Sequence, residues 1–89
     1  MKDLLASDRK KIDILKTLSD GRVYTYYHLS RILRTNYETV KKNCRFLELL
    51  DLVEVIKVDK EESASGVASY RVRITEQGLK AFEKIKALI

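Results

Sequence analysis

The 89-residue sequence predicts one small α+β domain. Three features of the chain indicate this. Apolar residues recur at helical spacing up to residue 50, two segments rich in β-branched residues flank a polar stretch within 52–74, and helical spacing returns over 76–88. The predicted order is α-(β)-α-α-β-β-α, where the parentheses mark a short extended piece and the last two strands form a small antiparallel hairpin.

The first helix is predicted over residues 7–19. Ser7 followed by Asp8 is typical of a helix start, because a hydroxyl can cap free N–H groups and an acid suits the first turn. Its apolar stripe consists of Ile12, Leu15 and Leu18. Gly21 should end the helix, since glycine adopts the left-handed conformation without strain.

Two further helices follow with a very short connection between them, over 25–33 and 36–50. The second begins at the cap Thr25 and carries apolar side chains at Tyr26, Leu29, Ile32 and Leu33. The third has the core stripe Val40, Cys44 and Leu47. Thr35-x-x-Glu38 matches a capping box, and Asn36 is an equally good cap one residue later. The sequence leaves this choice open.

A hairpin with a long tip is predicted over residues 52–74. The segment LVEVIKV is rich in β-branched residues, DKEESASGVAS is small and polar, and YRVRI alternates in polarity. The alternation directs Tyr70, Val72 and Ile74 to one face, and Arg71 and Arg73 to the other.

The last helix is predicted over 76–88, with Thr75 as its cap. Its apolar seam consists of Leu79, Phe82, Ile85 and Leu88. The seam can cover the chain's own core, or it can contact a second copy in a homodimer, with help from Leu4 and Leu5. Both interpretations stay open.

Three segments in this order resemble winged helix-turn-helix regulators of the MarR and PadR type, and small winged-helix proteins of archaea and their viruses. They are LSRILRTNYETV at 29–40, FLELLDLVEV at 46–55 and YRVRITEQGLKAF at 70–82. Arg34 and Asp51 stand where such proteins commonly have glycine. Aspartate tolerates the left-handed conformation better than most residues, so the second turn should survive.

The resemblance implies that the third helix enters the DNA major groove. The predicted contacts on this helix are Asn36, Tyr37, Thr39, Lys41, Lys42 and Arg45. Glu38 either closes the capping box or accepts a hydrogen bond from cytosine. A second, weaker set on the second helix and the hairpin consists of Arg31, Lys57, Lys60, Arg71 and Arg73. The hairpin arginines could instead serve solubility alone.

The remaining chemistry of the chain is limited. Cys44 is the one cysteine and His28 the one histidine, so we expect no metal site, no cofactor and no enzyme. We expect Cys44 to be buried and to serve only in packing. We expect the tyrosines around residue 25 to belong to the core and its edge, and not to stack on a ligand. The sequence has neither the apolar stretch of a signal peptide nor that of a membrane span, which predicts a soluble cytoplasmic protein.

A net charge of +5 and a pI of about 9.4 favour a polyanionic partner. The basic excess is uneven, since residues 34–45 hold four basic side chains and one acid. The sequence therefore predicts a sequence-specific regulator of transcription that binds double-stranded DNA as a homodimer. A protein-interaction module and a nonspecific DNA-coating or chromatin protein are the alternatives.

Overall fold

The computed structural model describes residues 6–58 and 69–88. The elements in chain order are α1 (Ala6–Leu18), β1 (Tyr24–Thr25), α2 (Tyr26–Ile32), α3 (Tyr37–Leu49), β2 (Val53–Val58), β3 (Ser69–Ile74) and α4 (Glu76–Leu88). The predicted order α-(β)-α-α-β-β-α is observed. Leu4, Leu5, Lys60 and the tip of the hairpin lie outside the described residues.

The ends of the helices differ from the predicted ranges by about one residue, mainly because those ranges included the capping residues. The hydroxyl of Thr25 accepts from the His28 N–H at 3.0 Å, so Thr25 precedes α2. Helix α1 begins and ends one residue earlier than predicted, so Ser7 lies inside it. Gly21 follows α1 with a φ of 81°, and its N–H donates to the Leu18 carbonyl at 3.0 Å.

The three strands form an antiparallel sheet in the order β1-β3-β2. In its register Glu54 lies opposite Arg73, and Tyr24 lies opposite Val72. Side chains alternate between the two faces of a strand. Val72 and Ile74 are therefore buried against the helices while Arg71 and Arg73 are exposed on the other face, as predicted.

Two of the apolar residues predicted for α1 and α2 lie at the margin of the core or outside it. Ile14 is buried with Leu15 and Leu18, and Ile12 is only half-buried at the margin. In α2, Ile32 is 44% exposed. A residue advances about 100° around a helix. Ile32 therefore points well away from the side that Tyr26 and Leu29 share, and the small Ser30 is buried beside them instead.

Helix α4 is fastened to the turn that follows α3. The Thr75 hydroxyl donates to the Asp51 carbonyl at 2.6 Å and accepts from the Gly78 N–H at 3.0 Å. Asp51 has the left-handed φ of 60°, so the turn keeps the expected conformation without glycine. A Cβ atom added to Gly78 would lie 2.0 Å from the Leu52 carbonyl oxygen. Only glycine fits this junction without displacing backbone.

The core lies between the sheet and helices α1, α2, α3 and α4. It contains all three residues of the predicted α3 stripe, Val40, Cys44 and Leu47. Within the described ranges, no helix is both long and apolar enough to cross a membrane.

Candidate nucleic-acid interface

Helices α2 and α3 are joined by a tight turn of four residues, 33–36. The Leu33 N–H donates to the Leu29 carbonyl at 2.9 Å, and the Thr35 N–H donates to the Ser30 carbonyl at 3.0 Å. Between them Arg34 adopts a left-handed φ of 53°, which residues other than glycine rarely adopt. The turn and the buried stripe together fix which side of α3 faces solvent.

The start of α3 is capped by Asn36. Its side-chain oxygen accepts from the Thr39 N–H at 2.7 Å. The alternative capping box between Thr35 and Glu38 is not formed, because the Thr35 N–H is already bound to Ser30. Glu38 is therefore an exposed acid in the first turn of α3, where the helix dipole favours it. Of the two interpretations of Glu38, the structure therefore excludes the one in which it closes the capping box.

The solvent side of α3 carries cations. Lys42 and Arg45 are exposed and Lys41 is half-buried on the flank toward β2. No ion pair engages these three side chains within the described part of the chain. A residue advance of about 100° places 38, 42, 45 and 49 on the side opposite the stripe. Leu49, which is 81% exposed, is the apolar residue on this side of α3, and it was not among the predicted contact residues.

Tyr37 and Thr39 lie on opposite flanks of this side. Tyr37 is partly exposed, and its ring meets the Tyr26 ring edge-on at 5.8 Å. Thr39 is half-buried toward α1, where its carbonyl accepts from the Asn43 side chain at 2.8 Å. Asn36 uses its side-chain oxygen for the cap, which leaves its amide nitrogen as the group that could reach a phosphate.

Arg31 is the cation of α2. Its guanidinium donates to the Tyr27 hydroxyl at 3.0 Å and lies 5.7 Å from the centre of the Tyr27 ring. Both side chains are exposed. The contact positions the arginine on the surface, and no acid of the described ranges pairs with it.

The hairpin separates its predicted cations onto two faces. Lys57 of β2 is on the face toward α3, close to Arg45. Arg71 and Arg73 are on the other face, and Arg73 is paired with Glu54 at 2.9 Å. Both members of that pair are about half exposed, so the pair is weak, but it lowers the positive charge of this face. The structure brings Lys57 to the α3 surface and places the two arginines away from it.

A groove between α1 and α3 was also not predicted from the sequence. Its lining consists of Lys10, Lys11, Thr35, Thr39, Lys42, Asn43, Phe46 and Leu49. The Lys11 ammonium lies 4.8 Å from the centre of the partly exposed Phe46 ring. Phe46 and Leu49, three residues apart and off the core stripe, were the signal that could have indicated a partly apolar surface here.

The predicted seam of α4 is divided between core and surface. Phe82 is 8% exposed and belongs to the core, and Ile85 packs against that core. Leu79 and Leu88 are exposed. A contact with a second copy would therefore be made by these two leucines, and Phe82 is not available for it.

Cys44 and His28 are the remaining residues whose side chains could react or bind a metal. Burial raises the pKa of the Cys44 thiol to about 12, which keeps it protonated and unreactive at neutral pH. His28 is exposed, with its ring 5.2 Å from the Tyr24 ring. Among the described residues, no three side chains of the metal-ligating types come together.

Comparison with models of known protein families finds no match, and neither does comparison with curated protein sequences. Solved structures do match. A transcriptional regulator homologue from Pyrococcus horikoshii OT3 superposes with a TM-score of 0.74 at 20% identity, over 91% of this chain and 80% of that one. A PadR family transcriptional regulator from Eggerthella lenta DSM 2243 gives a TM-score of 0.74 at 19% identity, over 88% of this chain and 69% of that one.

A mutant of MarR from E. coli gives a TM-score of 0.70 at 16% identity and covers 92% of this chain. This chain spans 54% of that MarR chain, and 57% of the chain of ZitR from Lactococcus lactis. Two of these neighbours are named as transcriptional regulators or their homologues, and none is named as an enzyme. The likeness confirms the fold that the sequence resemblance implied. The chain has the winged helix-turn-helix fold.

Proposed function

We propose that the chain is a sequence-specific regulator of transcription that binds double-stranded DNA, with α3 in the major groove and the hairpin as a wing beside the backbone or the minor groove. The observation that carries the proposal is the solvent side of α3, where Lys42 and Arg45 point outward without an ion pair among the described residues. The regulators with the same fold support it.

In this proposal each side chain of α3 has a role set by its place on the helix. Lys42 and Arg45 donate to guanine O6 and N7 or to phosphates. Thr39 and Lys41, on opposite flanks, reach toward the two walls of the groove. Asn36 and Tyr37, at the helix start, contact phosphate, where side chains and N–H groups of helix starts commonly meet the backbone.

The other predicted cations have supporting roles. Arg31 on α2 and Lys57 on β2 would contact the backbone. Arg71 and Arg73 would contact DNA only if the outer face of the wing approaches a neighbouring groove. Such a protein would act in the compartment that holds the DNA, in line with the expected cytoplasmic location.

Selection from a pool of random duplexes tests the proposal. A sequence-specific regulator should enrich one motif, and a homodimer should enrich a pseudo-palindrome with half-sites about one helical turn apart. Binding of the enriched duplex should weaken steeply with salt, because cations on the protein release counterions from DNA. Tight binding without any enriched motif would instead favour a nonspecific coating protein.

A protein-interaction module is the second candidate, and the apolar end of α3 favours it. Leu49 and Leu50 are both exposed, at 81% and 53%, and Phe46 lies beside them. If the chain retains no duplex even at low salt, that result would support protein interaction over DNA binding.

A second copy of the chain could also contact this end of α3, together with Leu79 and Leu88 of α4. Sedimentation at micromolar concentration decides that question, since a mass equal to one chain excludes the homodimer.

A further inference from the structure

Helix α3 and the wing meet in a notch, which we call the helix–wing notch. Its lining consists of Tyr26, Arg45, Glu48, Val55, Lys57 and Tyr70. The notch has a volume of about 270 Å³. One water occupies roughly 30 Å³ in the liquid, so the notch has room for a group the size of a phosphate.

Tyr26 forms the floor of the notch. Its side chain is 1% exposed, stacked against the Tyr70 ring at 5.3 Å and 14° and edge-on to the Tyr37 ring. Its hydroxyl has no hydrogen-bond partner among the described residues. Buried hydroxyls are almost always paired, because leaving one unpaired is costly. The Tyr26 hydroxyl is therefore a donor without an acceptor in the described part of the chain.

The protonation state of this hydroxyl suits a donor. Burial is the largest cause that raises the pKa of Tyr26 well above its ordinary value, with smaller contributions from Cys44 and Glu48. The hydroxyl therefore keeps its proton at any physiological pH. Because its oxygen has less than 1 Å² of accessible surface, it can donate to an anion in the notch only once side chains of the lining move aside.

The charges around the notch favour an anion. Arg45 approaches from α3 and Lys57 from β2, and neither has an ion pair within the described part of the chain. Glu48 is the one acid of the lining, and it is exposed. The lining carries one net positive charge. An incoming anion would gain two cations and one neutral donor, and would have to move the Glu48 carboxylate aside.

We propose that the helix–wing notch binds one phosphate of the DNA backbone, with the Tyr26 hydroxyl as donor and Arg45 and Lys57 as cations. The inference rests on the proposed DNA-binding function and adds a contact to it. The notch is on the flank of α3 beside the wing, and Arg45 lies where this flank meets the side opposite the core stripe. A phosphate in the notch would therefore belong to the backbone at the edge of the groove. Neutral hydroxyls are common partners of phosphate in protein–DNA contacts.

The substitution Tyr26→Phe tests the donor directly. Affinity for a short duplex of arbitrary fixed sequence should fall by about tenfold or more, as expected for a lost hydrogen bond to a charged group. A fixed arbitrary duplex is sufficient because backbone contacts do not depend on sequence. The salt slope of binding should stay unchanged, since the lost donor is neutral. The thermal midpoint of unfolding should stay level or rise, because the change removes an unpaired buried hydroxyl.

Tyr24→Phe is the matched control. The Tyr24 hydroxyl donates to the Asp20 carboxylate and is not part of the notch. This control should keep full DNA affinity. A Tyr26→Phe variant with wild-type affinity and a lowered thermal midpoint would overturn the inference, because the hydroxyl would then be bonded within the fold.

The acid of the notch supplies a second test with the opposite sign. Glu48→Gln should strengthen binding of the same duplex several-fold, because phosphate no longer displaces a carboxylate. Lys57→Gln should weaken binding and lower the salt slope by roughly 0.9, the share of one phosphate contact. Glu76→Gln on α4, outside the notch, should leave affinity unchanged. Unchanged or weaker binding by Glu48→Gln would contradict the proposal.

These measurements separate the two proposals. If the wild-type chain binds no duplex at all, the proposed function fails and this inference fails with it. If the wild type binds and Lys42→Ala weakens it while Tyr26→Phe does not, only the notch assignment is overturned. Thermal stabilisation by inorganic phosphate that Tyr26→Phe abolishes, with DNA affinity unchanged, would make the notch a free phosphate site and would equally overturn the assignment to DNA.

Discussion

Gly78→Ala is expected to destabilise the fold strongly, although alanine favours helices. The new Cβ atom would lie 2.0 Å from the Leu52 carbonyl oxygen and 2.6 Å from the Cγ1 atom of Ile74. The nearer atom is backbone and cannot rotate away, so the cost should be near the upper end of overpacking, about 3 kcal/mol. The helix propensity of alanine returns about 1 kcal/mol. The free energy of unfolding should therefore fall by about 2 kcal/mol.

Chemical denaturation measures this loss, and thermal unfolding should show a midpoint lower by roughly 8–16 °C for a domain of this size. Gly21→Ala is the control, because Gly21 has a φ of 81° and no atom within 4 Å of the added Cβ. Its cost should come from backbone conformation alone, about 1 kcal/mol. A Gly78→Ala variant as stable as wild type would refute the close approach of α4 to the turn after α3.

Two more predictions concern the turn after α3 and the core. Asp51→Gly should raise the free energy of unfolding by about 0.5 kcal/mol, because Asp51 holds a left-handed φ of 60° that glycine adopts freely; a less stable variant in urea denaturation would contradict this. Burial raises the pKa of Cys44 from 9.0 to about 12, so its contribution to stability is complete below pH 9 and is lost as the pH rises toward 12. Denaturation curves between pH 9 and 12 should show a smaller fall in the free energy of unfolding for Cys44→Ala than for wild type. Rapid reaction of the native thiol with a thiol reagent at pH 8 would contradict its burial.

Elements defined by short-range spacing could be predicted from the sequence. The stripe Val40, Cys44 and Leu47 follows from helical periodicity, and all three are buried. The caps Thr25 and Thr75 follow from side-chain chemistry, and both accept the expected N–H. Local backbone preferences are sufficient for these features because the groups that interact are three or four residues apart.

Features set by contacts beyond a single helical turn could not be predicted. The choice of Asn36 over Thr35 as cap depends on the Thr35 N–H, which the Ser30 carbonyl of the preceding helix already binds. The pairing of Arg73 with Glu54 depends on the register between two strands, with the paired residues 19 apart in sequence. The helix–wing notch brings together α2, α3 and both wing strands, and periodicity within one segment cannot show that.

The most direct test of the central claim is the salt dependence of duplex binding by wild type and by the double variant K42A/R45A. Fluorescence anisotropy with the duplex enriched from the random pool gives both affinities, and circular dichroism checks the fold. The variant should lose most of the affinity, and its salt slope should be lower by roughly 1.8, or 0.9 for each lost cation. The control K16A/K84A removes the same charge from exposed positions of α1 and α4 and should change both quantities far less. A folded K42A/R45A variant with the affinity and salt slope of wild type would contradict the assignment of α3 as the DNA-binding helix.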